Sequence, residues 1–338
     1  MSAHETASPH IPVMLREVLE ALAPKDGGIY VDGTFGAGGY TRAILNEADC
    51  QVYAIDRDPA ALSRGRAIEE EFGGRLTLVE GCFGNMEALL HERGVAAVDG
   101  VALDVGVSSM QLDEAERGFS FSSDGPLDMR MGGEGPSAAD VVNTFEEKDL
   151  ARIISVYGEE KKARAVARAI GRARATKEIT RTGELADIVA SAVGGRGASR
   201  IHPATRTFQA LRIFVNDELR ELARGLSGAE HLLREGGRLA VVAFHSLEDR
   251  IVKRFLAERA GASRTVSRHM PLPEAGPAAS FDLLFRGAEA ASDEEAGVNP
   301  RARSAKLRAG VRTDAAPQAL DLDALGMSRM PVLQGGAA

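Results

Sequence analysis

The sequence predicts an open α/β fold, a mostly parallel sheet with helices on both faces, interrupted by a helical insertion. Three observations predict it. Short apolar runs ending in an acid alternate with helical segments over the first 110 residues. A glycine-rich turn directly follows the first run. The alternation stops after the fourth run and resumes only near Asn216.

The first strand is Ile29-Tyr30-Val31-Asp32, and it runs into Gly33-Thr34-Phe35-Gly36-Ala37-Gly38-Gly39. The next strands are Val52–Asp56, Leu76–Glu80 and Gly100–Asp104, with helices expected near Tyr40–Asn46, Ala60–Glu71 and Met86–Arg93. Residues 113–135 carry five glycines and Pro126 and read as loop. From about Ala138 to Asn216 helices follow without clear strands, broken at Gly194–Gly197. A helix near Asn216–Arg234, the turn Glu235-Gly236-Gly237, the strand Arg238–Phe244 and a helix Leu247–Arg259 restore the α/β pattern. Gly261–Ala279, rich in Pro, Ala and Gly, is expected to be a mobile loop. Phe281–Phe285 and Ser304–Val311 are expected to close the sheet. The implied organisation is a discontinuous domain over 1–112 and 214–312, an inserted helical domain over 113–213, and a flexible tail over 313–338.

A strand, a glycine turn, a helix and an acid about 20 residues on form a nucleotide-binding arrangement. Glycines let backbone approach the ligand, and Asp56 at the second strand's end can accept both ribose hydroxyls. Asp32 narrows the choice of ligand. A carboxylate at the end of the first strand would face the pyrophosphate of a dinucleotide, and like charges there are costly. S-adenosylmethionine has an adenosine, no phosphate, a sulfonium and an ammonium, so an acid suits it. Asp32, Asp56, Phe83 and Asp104 all fall at or just past strand ends, the rim where such sheets bind ligands.

The composition sets bounds. Hydrophobic residues make up 44% of 338, enough for a full core, and charged residues make up 27%. Cys50 and Cys82 are the two cysteines, and neither sits in a metal-ligand spacing. That argues against a zinc site and a disulfide framework, and a cytoplasmic location is expected. No apolar run is long enough to span a membrane. The net charge of −8 counts mildly against nonspecific nucleic-acid binding, but basic residues cluster. Residues 161–181 hold eight Lys/Arg against one acid, and 299–312 hold five against none. A solvated helix face is the competing reading of either cluster.

Longer strings occur in a fixed order. They are His10-Ile11-Pro12-Val13-Met14-Leu15, Val31–Gly36, Ile55-Asp56-Arg57-Asp58-Pro59, Asp104-Val105-Gly106-Val107-Ser108-Ser109, Arg117-Gly118-Phe119-Ser120-Phe121, Pro126–Met131 and Tyr157-Gly158-Glu159-Glu160. His202–Arg212, Phe244-His245-Ser246-Leu247-Glu248-Asp249-Arg250 and Asn299–Ser304 follow. Over residues 10–312 the chain resembles the bacterial small-subunit (16S) ribosomal RNA cytosine-N4 methyltransferases, the MraW or RsmH family. The resemblance implies a Rossmann-like class I S-adenosylmethionine-dependent methyltransferase with an inserted helical domain. It implies methylation of the exocyclic amine of one cytosine in the decoding region. The substrate would be 16S rRNA in the small subunit or a late assembly intermediate, with no membrane and no metal involved; a homodimer is compatible with it.

Carried over by position, the family's cofactor contacts fall on Gly38, Gly39, Tyr40, Asp56, Phe83, Asp104 and Gln111, to which the glycine turn adds Gly36. Tyr40 departs from the pattern, which has His there, so only a backbone contact would be kept. The loop after the fourth strand lacks the Pro-Pro-aromatic motif of many amino-methyltransferases. Acceptors for the amine hydrogens would be Asp104, Ser108 or Ser109, with a stacking ring from Phe119 or Phe121; a helix N-cap is the structural alternative for the serines. Arg164, Arg168, Arg172, Arg206, Arg301 and Arg303 are the candidate RNA contacts. His202 and His245 are more readily structural than catalytic, and Asp128, Arg130, Arg206 and Arg212 can line a cleft or form internal ion pairs. Competing functions are a small-molecule or protein methyltransferase, a dinucleotide-dependent oxidoreductase, which Asp32 disfavours, and a non-enzymatic cofactor-binding assembly factor.

Overall fold

The computed structural model describes residues 12–194, 202–261, 277–327 and 330–331. The chain divides into two compact units, one formed by 1–106 with 220–325, the other by 107–219 with 326–338.

The first unit is built on one eight-stranded sheet. Its strands are β1 (Ile29–Asp32), β2 (Gln51–Asp56), β3 (Leu76–Glu80), β4 (Val98–Asp104), β5 (Leu233–Ala243), β6 (Phe281–Leu283), β7 (Glu289–Ala290) and β8 (Lys306–Arg312). They lie in the order β3-β2-β1-β4-β5-β8-β6, with β7 paired to β8. The five strands from β3 to β5 are parallel, and β8 is antiparallel to both β5 and β6. This order with a reversed strand inserted beside β5 is that of class I methyltransferases. The chain winds outward to β2 and β3 on one side of β1, then crosses to β4 on the other. The switch point therefore lies between β1 and β4, where such sheets bind ligands. A parallel central strand is covered on both faces, which requires a near-continuous apolar run. β4 meets that requirement: Val98 to Leu103 are all buried.

The helices of this unit are α1 (Leu15–Leu22), α2 (Gly39–Glu47), α3 (Pro59–Phe72), α4 (Met86–His91), most of α11 (Glu218–Leu232), α12 (Ser246–Arg259) and α13 (Asp293–Val298). Asp58 caps α3, accepting the Ala60 N–H, and Pro59 fills the first helical position, where no N–H is needed.

The second unit is helical, with α5 (Ser109–Asp113), α6 (Ala138–Thr144), α7 (Glu147–Gly158), α8 (Ala163–Arg174), α9 (Thr182–Val193) and α10 (Thr205–Val215). Gly158 permits α7 and α10 to touch, because a Cβ there would lie 2.4 Å from the Arg206 carbonyl oxygen. α8 is amphipathic: Ala163, Val166, Ala167 and Ile170 are buried, while Arg164, Arg168 and Arg172 are exposed.

Several expectations change. The helix expected near Asn216–Arg234 is found as α11, which starts at Glu218 because Asp217 takes φ +49° and separates it from α10. The Glu235–Gly237 turn is a bulge inside β5, whose pairing jumps from Val98↔Leu233 to Gly100↔Arg238. The Gly194–Gly197 break and the Gly261–Ala279 loop lie largely outside the described residues. Residues 313–325, expected to belong to a flexible tail, are tied down. Glu230 and Arg259, 0% and 1% exposed, form a buried ion pair at 2.9 Å. Gln318 N–H donates to Glu230, and Arg259 donates to the carbonyls of Gln318 and Ala319. Arg254 donates to the Leu325 carbonyl, and Leu325 is 2% exposed. Buried charges that need every partner hold this segment, although its own sequence is unremarkably polar.

A candidate cofactor site at the strand ends

β1 delivers Asp32 to the rim of the sheet, 1% exposed. Thr41 Oγ1 donates to its Oδ2 at 2.7 Å and Thr34 N–H to its Oδ1 at 3.1 Å. The turn after it must pass close to β4. A Cβ on Gly33 would lie 2.4 Å from Leu103 Cδ2, so only glycine fits without a shift. Gly36 and Gly38 take φ +55° and +77°, the left-handed region glycine tolerates, and Gly38 opens α2. Asp56, at the end of β2, accepts the Gly36 N–H at 2.8 Å and the Asp58 N–H at 2.8 Å. One carboxylate thus holds the glycine loop and the start of α3 together. Burial raises its pKa and these N–H bonds oppose the rise.

Phe83, after β3, is half-buried. Its ring rests where a Cβ on Gly225 would meet Cδ2 at 2.4 Å, and its Cβ would lie 3.2 Å from one on Gly33. The glycine turn, Asp56 and Phe83 are therefore brought to one rim.

Asp104 ends β4. Its N–H donates to Thr34 Oγ1 at 2.7 Å. Its Oδ1 is shut off from solvent and has no hydrogen-bond partner. Burial first, then the nearby carboxylates Asp32 and Glu248, push its pKa up to about 8, against an opposing pull from Arg301. Burial also carries Asp32 to about 6, against the Thr41 and Thr34 hydrogen bonds. Two acids that repel each other at one rim, one with an orphaned oxygen, favour a cation beside them. An ammonium or sulfonium fits these residues; a pyrophosphate does not.

Tyr40 is placed differently from a ligand-facing side chain. It is 4% exposed, and its hydroxyl donates to the Val13 carbonyl at 2.5 Å. A Cβ on Gly39 would lie 2.1 Å from Pro12 Cγ, so the segment around Pro12–Met14 packs on the start of α2. What Tyr40 offers a ligand is its backbone at a helix N-terminus; the phenol anchors the N-terminal segment.

Ser108 and Gln111 belong to the second unit. They form a capping box on α5: Ser108 Oγ accepts the Gln111 N–H at 3.2 Å, and Gln111 Oε1 accepts the Ser108 N–H at 3.1 Å. The capping alternative for Ser108 is therefore realised; the Ser109 side chain lies outside the described residues. Arg212 pairs with Glu218 through two 2.8 Å bonds, and Arg130 with Asp128 at 2.9 and 2.6 Å, so the internal ion-pair reading holds for both. Arg206, half exposed, contacts the Glu159 carbonyl at 3.4 Å and Glu160 at 3.9 Å. Arg303 contacts the Ala296 carbonyl at 3.3 Å, and Arg301 lies within electrostatic reach of Asp104. His245 caps α12 in a box with Glu248, and His202 Nδ1 accepts the Ala204 N–H at 3.2 Å. Thr34, Thr41 and Glu248 join the site through contacts that no local motif marks. The only available signal for Glu248 was its spacing three residues after a cap position.

No helix among the described residues is long and apolar enough to cross a membrane. Among solved structures, an rRNA methylase from Streptococcus thermophilus resembles the chain with TM-score 0.40 at 11% identity, covering 91% of this chain and 100% of that one. Curated relatives are much closer in sequence. The ribosomal RNA small subunit methyltransferase H of Parvibaculum lavamentivorans is 68% identical over 338 residues, 100% of this chain and 99% of its own. The protein of that name from Paramagnetospirillum magneticum is 61% identical over 308 residues, 91% of this chain and 96% of its own. The profile of the MraW methylase family matches residues 7–313. The chain belongs to the MraW methylase family of S-adenosylmethionine-dependent methyltransferases.

Proposed function

We propose that this protein methylates the exocyclic N4 amine of a specific cytosine in the decoding region of 16S rRNA, using S-adenosylmethionine. The observation that carries the cofactor half is Asp104, a half-buried residue whose Oδ1 is shut off from solvent and unpartnered near Asp32. The rRNA half rests on relatives named small-subunit rRNA methyltransferases at up to 68% identity over the full chain. The cytosine-N4 target rests on the family resemblance of the motifs. Such a substrate places the enzyme in the cytoplasm, working on the small subunit or a late assembly intermediate.

S-adenosylmethionine supplies an electrophilic methyl group. The chain's residues divide the remaining work. Backbone at Gly36, Gly38, Gly39 and Tyr40 lines the turn; Asp56 holds the ribose hydroxyls; Phe83 covers the adenine; Asp104, supported by Asp32, holds the ammonium. Gln111 joins this set by position in the family pattern. Catalysis then comes from orientation of an unstacked base and from acceptors for the amine hydrogens, with Asp104, Ser108 and Ser109 the candidates. Of these, Asp104 is assigned first to the ammonium, and Ser108 Oγ already caps α5 by accepting the Gln111 N–H. The inserted segment, 113–213, is the RNA grip, through Arg164, Arg168, Arg172 and Arg206, with Arg301 and Arg303 from the other unit.

The test is transfer of labelled methyl from S-adenosylmethionine to purified unmethylated small subunits, followed by nucleoside analysis. The expected product is N4-methylated cytidine at one site. Label on another base, or none on RNA, overturns the reading.

A further inference from the structure

The second unit carries an aromatic cluster that core packing does not explain. Phe208 on α10 is 4% exposed, an ordinary core residue. Phe121 stands edge-on against it, centroids 4.8 Å apart at 71°. His202 lies against the Phe121 ring at 4.6 Å and 35°. Phe121 and His202 themselves stay half-buried, with Ser122 and Ser123 exposed beside Phe121 in the chain. Phe119, two residues earlier, is 5% exposed and is spent on the core.

The loop that presents Phe121 is rigidly framed. Gly118 takes φ +71°, and a Cβ there would lie 2.1 Å from the Pro126 carbonyl oxygen. A Cβ on Gly125 would lie 1.9 Å from the Ala115 carbonyl oxygen. The two arms of the loop therefore touch backbone to backbone. Gly125 N–H donates to Thr182 Oγ1 at 3.0 Å, Asp124 accepts the Gly183 N–H at 2.9 Å, and Arg181 pairs with Asp124 at 2.5 Å. A half-exposed ring held this firmly is preorganised, so little entropy is lost when a flat partner stacks on it.

His202 adds a polar edge. Its Nδ1 accepts the Ala204 N–H at 3.2 Å, so in the neutral ring the hydrogen sits on Nε2, as a donor. Arg206, 51% exposed, follows on the first turn of α10. Aromatic face, imidazole donor and nearby cation are the elements with which proteins hold single-stranded nucleic acid.

We propose that Phe121 and His202 form a stacking platform for an unpaired RNA nucleobase, with Arg206 serving the adjoining phosphate. This rests on the RNA reading above. Every base has a π-face, so the platform contributes affinity and placement with little sequence preference.

The chain contains no tryptophan, which makes the test direct. Phe121→Trp introduces a single tryptophan at the platform, excited selectively over the four tyrosines. Titration with a fluorescein-free single-stranded RNA oligonucleotide should quench its emission, while a separately labelled copy of that RNA reports binding by anisotropy. Phe121→Ala should weaken RNA binding about tenfold or more, and Phe121→Trp should restore it, with S-adenosylmethionine affinity unchanged in both. RNA binding without any change in tryptophan emission, together with wild-type RNA affinity in Phe121→Ala, overturns the platform and leaves the RNA reading standing. Failure of the wild-type protein to bind RNA or methylate small subunits overturns the RNA reading itself.

Discussion

The Asp104 N–H donates to Thr34 Oγ1 at 2.7 Å, so the glycine turn after β1 fixes the end of β4. The same threonine's N–H donates to Asp32. Two acids are thereby set at one rim by a single residue between them, and their mutual repulsion is built into the fold.

Stability should record that repulsion. The folded-state pKa values of Asp104 and Asp32, about 8 and about 6, lie above the ordinary carboxylate value. The folded state therefore binds protons more tightly than the unfolded one. The resulting stabilisation is present at low pH and is lost as pH rises toward 8. Asp104→Asn removes its share. Thermal melts without ligand should show the variant gaining on the wild type from pH 5 to pH 8, by on the order of a few kcal/mol at most. A difference independent of pH would mean that Asp104 is not a raised carboxylate.

Asp56 has two tasks, because it holds the Gly36 and Asp58 N–H groups as well as the proposed ribose. Asp56→Ala should weaken S-adenosylmethionine binding by about 1–3 kcal/mol, the range for stranded partners of a charged acceptor. Calorimetry showing an unchanged dissociation constant would remove it from the site.

Tyr40→Phe separates the two roles of that residue. Loss of the bond to the Val13 carbonyl should cost about 1 kcal/mol of stability, seen in urea unfolding, while cofactor affinity is preserved. A large loss of affinity with intact stability would put the phenol on the ligand instead.

The exposed stripe Arg164, Arg168 and Arg172 on α8 should carry phosphate contacts. Replacing all three with Gln should weaken RNA binding and lower the slope of log K against log salt by about 2–3, close to one unit per contact. An unaltered slope returns α8 to a solvated face.

Much of this was legible in the chain. Acids at the ends of Ile29–Asp32, Val52–Asp56 and Gly100–Asp104 were visible because a buried strand is an apolar run and its end is a break in that run. The glycine turn was visible because glycine takes φ +55° and +77° without the strain a side chain brings, and because a Cβ on Gly33 would lie 2.4 Å from Leu103. The α8 stripe follows from helical period alone. What escaped depends on partners distant in sequence. The Tyr40 hydroxyl meets Val13 27 residues away, and Glu230 gathers Arg259, Ser280 and Gln318 across as many as 88 residues. No local pattern encodes such contacts. Ser108 and Gln111 are the intermediate case. The three-residue spacing of a capping box was readable, while the family pattern drew Gln111 toward the ligand.

The central claim is that Asp104 holds the cationic end of S-adenosylmethionine. Without ligand its carboxyl titrates at about 8, so it is largely protonated at neutral pH; a bound cation favours the carboxylate and expels the proton. Calorimetric titration with S-adenosylmethionine at pH 7, in buffers of different ionisation enthalpy, measures that proton. Wild type should release up to about one proton per cofactor bound, and Asp104→Asn should release almost none while binding more weakly, with methyl transfer falling in step. Equal proton release and equal affinity in the two proteins, with single-turnover methylation abolished in Asp104→Asn, would contradict the claim and place Asp104 on the cytosine amine.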